Sequence, residues 1–243
     1  MLKHCYDPPM DLISEQRLAR RAAILDTARA MIAEVGYEAV KVRDLAERCR
    51  VSVPTLYNQF GGKDGLLGAA IEDHFGDVLN GGPLSLAQTG FERLLLIIDQ
   101  CVLQLLTLSE YHQRLLEAFM SLDNTIAVQQ RIAVRLTAAF ETELQTMLEK
   151  RQIVPWASPA LLAEQLTSSC INTAVVWSSG FYSDANLGPS MRFATGLLLF
   201  GVVRGKSQAL IKARVEAAQK QLVRTRAQIH SSANGHTKGQ FHG

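Results

Sequence analysis

The spacing of apolar residues between positions 42 and 60 leaves this chain little choice of local fold. Val42, Leu45, Ala46 and Cys49 recur at i, i+3, i+4 and i+7, one face of a short helix. Arg50-Val51-Ser52 is too short for anything but a turn, and Leu56 and Phe60 then resume helical spacing over about Val53 to Gln59. Ser52 suits the cap of this next helix, because its hydroxyl can accept from a backbone N–H two or three residues on. Pro54 falls in the first turn, where its missing N–H costs little. Because the residue before a proline avoids α geometry, the helix starts at Val53 or Pro54.

Helical spacing extends to almost every long segment, and few stretches alternate as strands do. Pro and Gly gather where helices would break, at Pro8-Pro9, Gly36, Gly61-Gly62, Gly81-Gly82-Pro83, Pro155, Pro159 and Gly188-Pro189. The chain reads as all-α and without internal repeats. A first helix covers about 15–35, with Leu18, Leu25, Ala28, Ile32 and Val35 on one face and Gly36 as its C′ residue. A fourth covers about 63–79, with Leu66, Leu67, Ala70, Ile71, Phe75 and Val78 inward. Beyond it, longer and more apolar helices are predicted over about 87–108, 110–121, 123–151, 159–182 and 190–226.

The expected organisation is an N-terminal extension (1–14), a three-helix unit (15–65) linked by the fourth helix, a larger helical domain (80–226) and a flexible tail (227–243). The tail rests on composition: Ser231 to Gly243 is rich in Ser, Gly, His and Asn and offers little to bury.

Composition narrows the function. A net charge of +2 gives no global attraction for nucleic acid, and acidic and basic residues nearly balance across 15–65. Any such binding must come from local placement. Cys5, Cys49, Cys101 and Cys170 are scattered, with no metal-ligand spacing, and read as reduced thiols in a cytoplasmic protein. No apolar run approaches the length of about 20 residues needed to span a bilayer. No phosphate loop or nucleophile motif appears, so neither enzyme activity nor a cofactor is expected.

The outer face of the helix-turn-helix carries the chemistry. Val53, Pro54, Thr55, Asn58 and Gln59 point outward, with Tyr57 on the flank. The free N–H groups at the helix start suit a phosphate. Gly61 and Gly62 turn the chain before Lys63, which is placed to reach a nucleic-acid backbone.

These residues carry a resemblance. Gly36-Tyr37, Val42-Arg43-Asp44-Leu45-Ala46, Val51-Ser52, Thr55-Leu56-Tyr57, Phe60 and Lys63-Asp64 resemble the DNA-binding domain of TetR-family transcriptional regulators. The resemblance covers about residues 15–65. It implies that Thr55, Tyr57 and Lys63 touch phosphates, and that Gln59 stands where many members have a histidine near the backbone. Arg43 falls where members can contact guanine through O6 and N7. Val53, Pro54 and Asn58 remain as base readers, the first two for shape or a thymine methyl and Asn58 for adenine. Three positions depart from the family pattern. Lys41 replaces a capping Thr or Ser, Arg50 replaces a turn glycine and so must take αL-like geometry, and Gly62 replaces a capping Ser.

For the larger domain the resemblance implies dimerisation and ligand sensing. The last two long helices, through Thr167 to Trp177 and Ala194 to Val203, carry small residues that permit close approach and are expected to pair with their copies. A symmetric dimer would set two recognition helices about 34–36 Å apart, matching a pseudo-palindrome. Polar and aromatic residues within apolar helices, Cys101, Gln104, His112, Phe119, Trp156, Cys170, Asn172 and Trp177, are candidates to line a site for a small apolar or amphipathic ligand. His112 lacks partners at metal spacing, so no metal is expected. The basic residues from Arg204 to Arg226, opposed by Glu216, read as a solvated helix face.

The expected protein is a ligand-responsive repressor that binds double-stranded DNA as a homodimer. Two other readings are a DNA-bound regulator signalling through a protein partner, and a helical protein whose helix-turn-helix is purely structural.

Overall fold

The computed structural model describes residues 12–66, 68–70, 90–107, 109–121 and 126–237; side chains at 12–13, 115, 117–121, 126–132 and 228–237 lie outside that description. So do most of the N-terminal extension, the fourth helix beyond residue 70, the expected break at Asn80 to Pro83 and the side chain of Phe119. Every extended element among the described residues is a helix. The chain divides into two compact units between Ile71 and Glu72.

In the smaller unit, α1 (Leu12–Val35), α2 (Val42–Arg48) and α3 (Val53–Phe60) are followed by the helical residues 63–66 and 68–70, here α4. Ile24, Leu25, Ala28, Met31 and Ile32 form the buried stripe of α1, and Leu45, Ala46, Leu56, Phe60, Leu66 and Ala70 complete the core. Leu18 and Val35, expected on that stripe, are more than half exposed. The buried stripe begins only at Ile24, with Arg21 half-buried about one turn before it.

The turn after α2 is set by one backbone device. Arg50 has φ 53°, its N–H donates to the Glu47 carbonyl at 3.1 Å, and the Val51 N–H donates to Ala46 at 2.9 Å. These are the paired bonds of a Schellman motif, with arginine at the αL position that glycine usually holds. Lys41 makes no side-chain cap to α2.

The larger unit contains α5 (Phe91–Thr107), α6 (Ser109–Ser121), α7 (Ile126–Glu149), α8 (Pro159–Ser178), α9 (Asp184–Phe200) and α10 (Lys206–Thr237). Its core runs through α5, α7, α8 and α9, with Leu94, Ile98, Phe140, Leu144, Leu166 and Trp177 almost fully buried. Glu143 of α7 is buried yet satisfied: it accepts from the Gly90 N–H at 2.6 Å and pairs with Arg93 at 3.2 Å, which fixes the start of α5. Asp99 of α5 binds Arg192 of α9 at 2.8 Å and also Arg214 of α10, joining three helices.

Two expectations are corrected here. The single helix expected over 190–226 is two helices, with Gly201 capping α9 and Gly205, at φ 65°, preceding α10. Its start was also misplaced, because Pro189 lies inside α9 rather than before it. A proline removes the N–H that would bond the carbonyl four residues back, and that carbonyl, of Ala185, accepts instead from Gln221 Nε2 of α10 at 3.5 Å. The tail expected from residue 227 is helical as far as Thr237, because α10 continues without a break.

Candidate nucleic-acid interface

The outer face of α3 is built from its first turn. Ser52 Oγ accepts from the Thr55 N–H at 3.2 Å and lies 2.7 Å from Thr55 Oγ1, with Pro54 within the first two helical positions. Leu56 and Phe60 anchor the helix from below, and the Arg21 guanidinium covers the Phe60 ring at 4.9 Å. Pro54, Tyr57 and Asn58 are left exposed, while Val53, Thr55 and Gln59 are half-buried. Arg43 projects as an exposed side chain from the first turn of α2. Lys41, Arg43 and Arg50 make no ion pair with a described residue, so their charge is available to an anion.

After α3 the backbone turns through Gly61 (φ 78°) and Gly62 (φ 124°). Lys63 then folds back: its Nζ donates to the Glu38 carbonyl at 2.9 Å and sits 4.4 Å from the centre of the Tyr37 ring. The Tyr37 hydroxyl donates to Asp64 at 2.5 Å, and burial together with that carboxylate raises its pKa. Tyr37 thus supports Lys63 from beneath. Sequence reasoning met Tyr37 only as part of a motif; nothing in the local spacing announced this contact. The expected phosphate and base contacts otherwise share one capped helix and its flanks, apart from Arg43 on α2.

Residues 24–70 match the family described as bacterial regulatory proteins, tetR family. Those residues carry a TetR-family domain. It is 27% identical over 189 residues to the HTH-type transcriptional repressor KstR of Rhodococcus jostii, covering 78% of this chain and 87% of that one. KstR of Mycolicibacterium smegmatis is 45% identical over 65 residues, covering 27% of this chain and 32% of that one. The solved structure of SmeT, the repressor of the Stenotrophomonas maltophilia multidrug efflux pump SmeDEF, superposes with a TM-score of 0.60 at 17% identity, covering 77% of this chain and 92% of that one. At that identity the likeness is one of fold. TetR-family regulators act by binding DNA and are not enzymes.

In the larger unit the candidate ligand residues divide. Cys101 and Cys170 are buried in the common core, and burial pushes the Cys101 thiol up to about 12 and the Cys170 thiol well above its ordinary value. His112 is buried, its ring edge-to-face with Tyr111 at 5.0 Å, and Gln104 is half-buried. Trp177 has a structural bond: its buried Nε1 donates to Asp184 Oδ1 at 2.9 Å. Asn172 faces outward, and Trp156 is 74% exposed, so neither belongs to that core. Among the described residues no three metal-ligating side chains gather, and no helix is long and apolar enough to cross a membrane.

Proposed function

We propose that this chain is a cytoplasmic, homodimeric repressor that holds a pseudo-palindromic operator and releases it when a small apolar or amphipathic ligand enters the larger unit. The observation that carries the reading is the capped α3, with Pro54, Tyr57 and Asn58 exposed, together with an exposed Arg43 on α2 that makes no ion pair with a described residue. Thr55, Tyr57, Gln59 and Lys63 take the phosphate contacts, and Arg43, Val53, Pro54 and Asn58 read bases. Phosphate contacts fix register, while base-edge contacts set sequence preference.

Pairing of two copies is supported by apolar side chains left exposed on α8 and α9, among them Leu161, Leu197 and Phe200. Of the small-residue segments singled out in the sequence, Thr167 to Trp177 lies on α8 and Ala194 to Phe200 on α9, which α10 follows. Ligand binding among Cys101, Gln104, His112 and Cys170 would shift the population of dimers away from the operator-competent spacing. The relatives named as repressors favour repression over activation.

Selection from a random duplex pool tests the reading. Enrichment of one pseudo-palindromic site, bound by a dimer in sedimentation, is the expected result. Failure to enrich any duplex at low salt would sink it.

A further inference from the structure

The smaller unit carries an arginine cluster on α1 that the assigned DNA contacts leave unused: Arg17, Arg20 and Arg21. Every residue from Ser14 to Arg20 is exposed, and Arg21 is half-buried with its guanidinium over the Phe60 ring. Phe60 ends α3 just ahead of Gly61, Gly62 and Lys63, so the cluster lies beside the proposed backbone contacts. Helical geometry aims it there. Residues three, four and seven apart share one face, and Arg21 and Arg17 precede Ile24 by three and seven. The face that buries Ile24, Leu25 and Ala28 thus continues past the core as guanidiniums, with Arg20 on its flank. Among the described residues no carboxylate answers this charge, since none of the three arginines makes an ion pair. Glu15 has Leu18 and Ala19 at i+3 and i+4, and Asp26 pairs with Arg29. Like charges one helical turn apart repel, and an anion laid along the cluster removes that cost.

We infer that Arg17 and Arg20 bind phosphates of duplex DNA and extend the backbone contact assigned to Lys63, while Arg21 holds α1 against the end of α3. The guanidinium fork suits phosphate oxygens, and such contacts fix register without reading bases. This role rests on the DNA-binding reading above. It lies outside the residues 24–70 that match the family, on a part of α1 that the shared motif does not reach.

The test measures binding of the full chain to two duplexes across a range of salt: the site enriched from the random pool, and a scrambled duplex of equal length. Arg17→Ala/Arg20→Ala is expected to weaken both by a similar factor, about tenfold at low salt. The slope of log K against log salt should become shallower by roughly one per arginine removed in each bound protomer. Arg17→Lys/Arg20→Lys keeps the charge and is expected to keep the slope. Both side chains are exposed, so the melting temperature should hold in either variant. If Lys63→Ala weakens binding while the double alanine variant binds like wild type, the arginine contact is overturned and the DNA-binding reading stands. A loss confined to the enriched site would overturn it as base readout. A slope lost equally with alanine and lysine would overturn it by tracing the effect to the packing of α1. No duplex bound by wild type would overturn both readings.

Discussion

A Cβ added at Gly65 would lie 1.7 Å from the Phe60 carbonyl oxygen and 2.9 Å from its carbonyl carbon. The first turn of α4 therefore passes the end of α3 at a distance that only glycine permits. The obstacle is backbone, which cannot rotate aside as a side-chain tip can. We predict that Gly65→Ala displaces α3 and lowers stability by at least the ~1–3 kcal/mol of an overpacked core. Thermal melting of the full chain and duplex binding should both suffer, whereas an unchanged melting temperature would rule out the close approach.

Arg50 carries the opposite burden, a side chain where glycine would be easier. An L-residue in αL geometry costs about 1–2 kcal/mol, and glycine's extra unfolded-state freedom takes back about 0.5–1. Arg50→Gly should therefore stabilise the protein by less than about 1 kcal/mol. Urea midpoints of wild type, Arg50→Gly and Arg50→Ala separate this from a charge effect: only the glycine variant is expected to gain.

Lys63 rests on Tyr37 and the Glu38 carbonyl, so meeting a phosphate means exchanging one oxygen for another. Each phosphate contact on duplex DNA adds about −0.9 to the slope of log K against log salt. Lys63→Ala should weaken binding evenly across duplex sequences and make that slope shallower by roughly one. Tyr57→Ala, losing an uncharged contact, should weaken binding without moving the slope. Arg43→Ala should relax base preference, visible as a broader set of selected sites.

The short elements were legible in the sequence because each is closed by local chemistry. Ser52, Gly36 and the apolar spacing of α2 and α3 act within one or two turns, and the structure places them as read. Contacts between distant segments were not legible. Tyr37 reaches Asp64, Asp99 gathers Arg192 and Arg214, and Glu143 caps α5 across more than fifty residues. No periodicity encodes such pairs. The division of 190–226 has another cause: Gly201 and Gly205 end one helix and precede the next, whereas the apolar run from Ala194 to Val203 has the pattern of a continuous helix. Pro189 misled in the opposite sense, since the carbonyl it frees finds a partner on α10.

Burial gives Cys101 and Cys170 a common pH signature. The unfolded chain ionises a thiol near its ordinary 9.0, while folding holds the Cys101 thiol neutral up to about 12. Below pH 9 neither state is ionised and nothing is lost. Above it the unfolded state releases protons first, so stability should fall as pH rises from 9 toward 12. Urea denaturation across that window should show the decline in wild type and a shallower one in Cys101→Ala and Cys170→Ala. Equal slopes in all three would assign the decline to other groups.

The packing of α9 on α10 depends on another missing side chain. A Cβ at Gly196 would meet Val215 Cγ2 at 2.5 Å and Ile211 Cδ1 at 3.8 Å. Val215 is β-branched, and its χ1 is stiff in a helix, so it cannot swing its methyl away cheaply. Gly196→Ala should therefore push α10 outward and cost about 1–3 kcal/mol, an overpacking effect that outweighs alanine's better helix propensity of about 1 kcal/mol. Val215→Ala alone should cost less, because the side chain is only half-buried. The double variant decides the cause. If the clash is the one named, Val215→Ala should restore most of what Gly196→Ala removes, giving a coupling of about 0.5–3 kcal/mol between contacting residues. Additive losses would mean that the damage of Gly196→Ala arises elsewhere on α9.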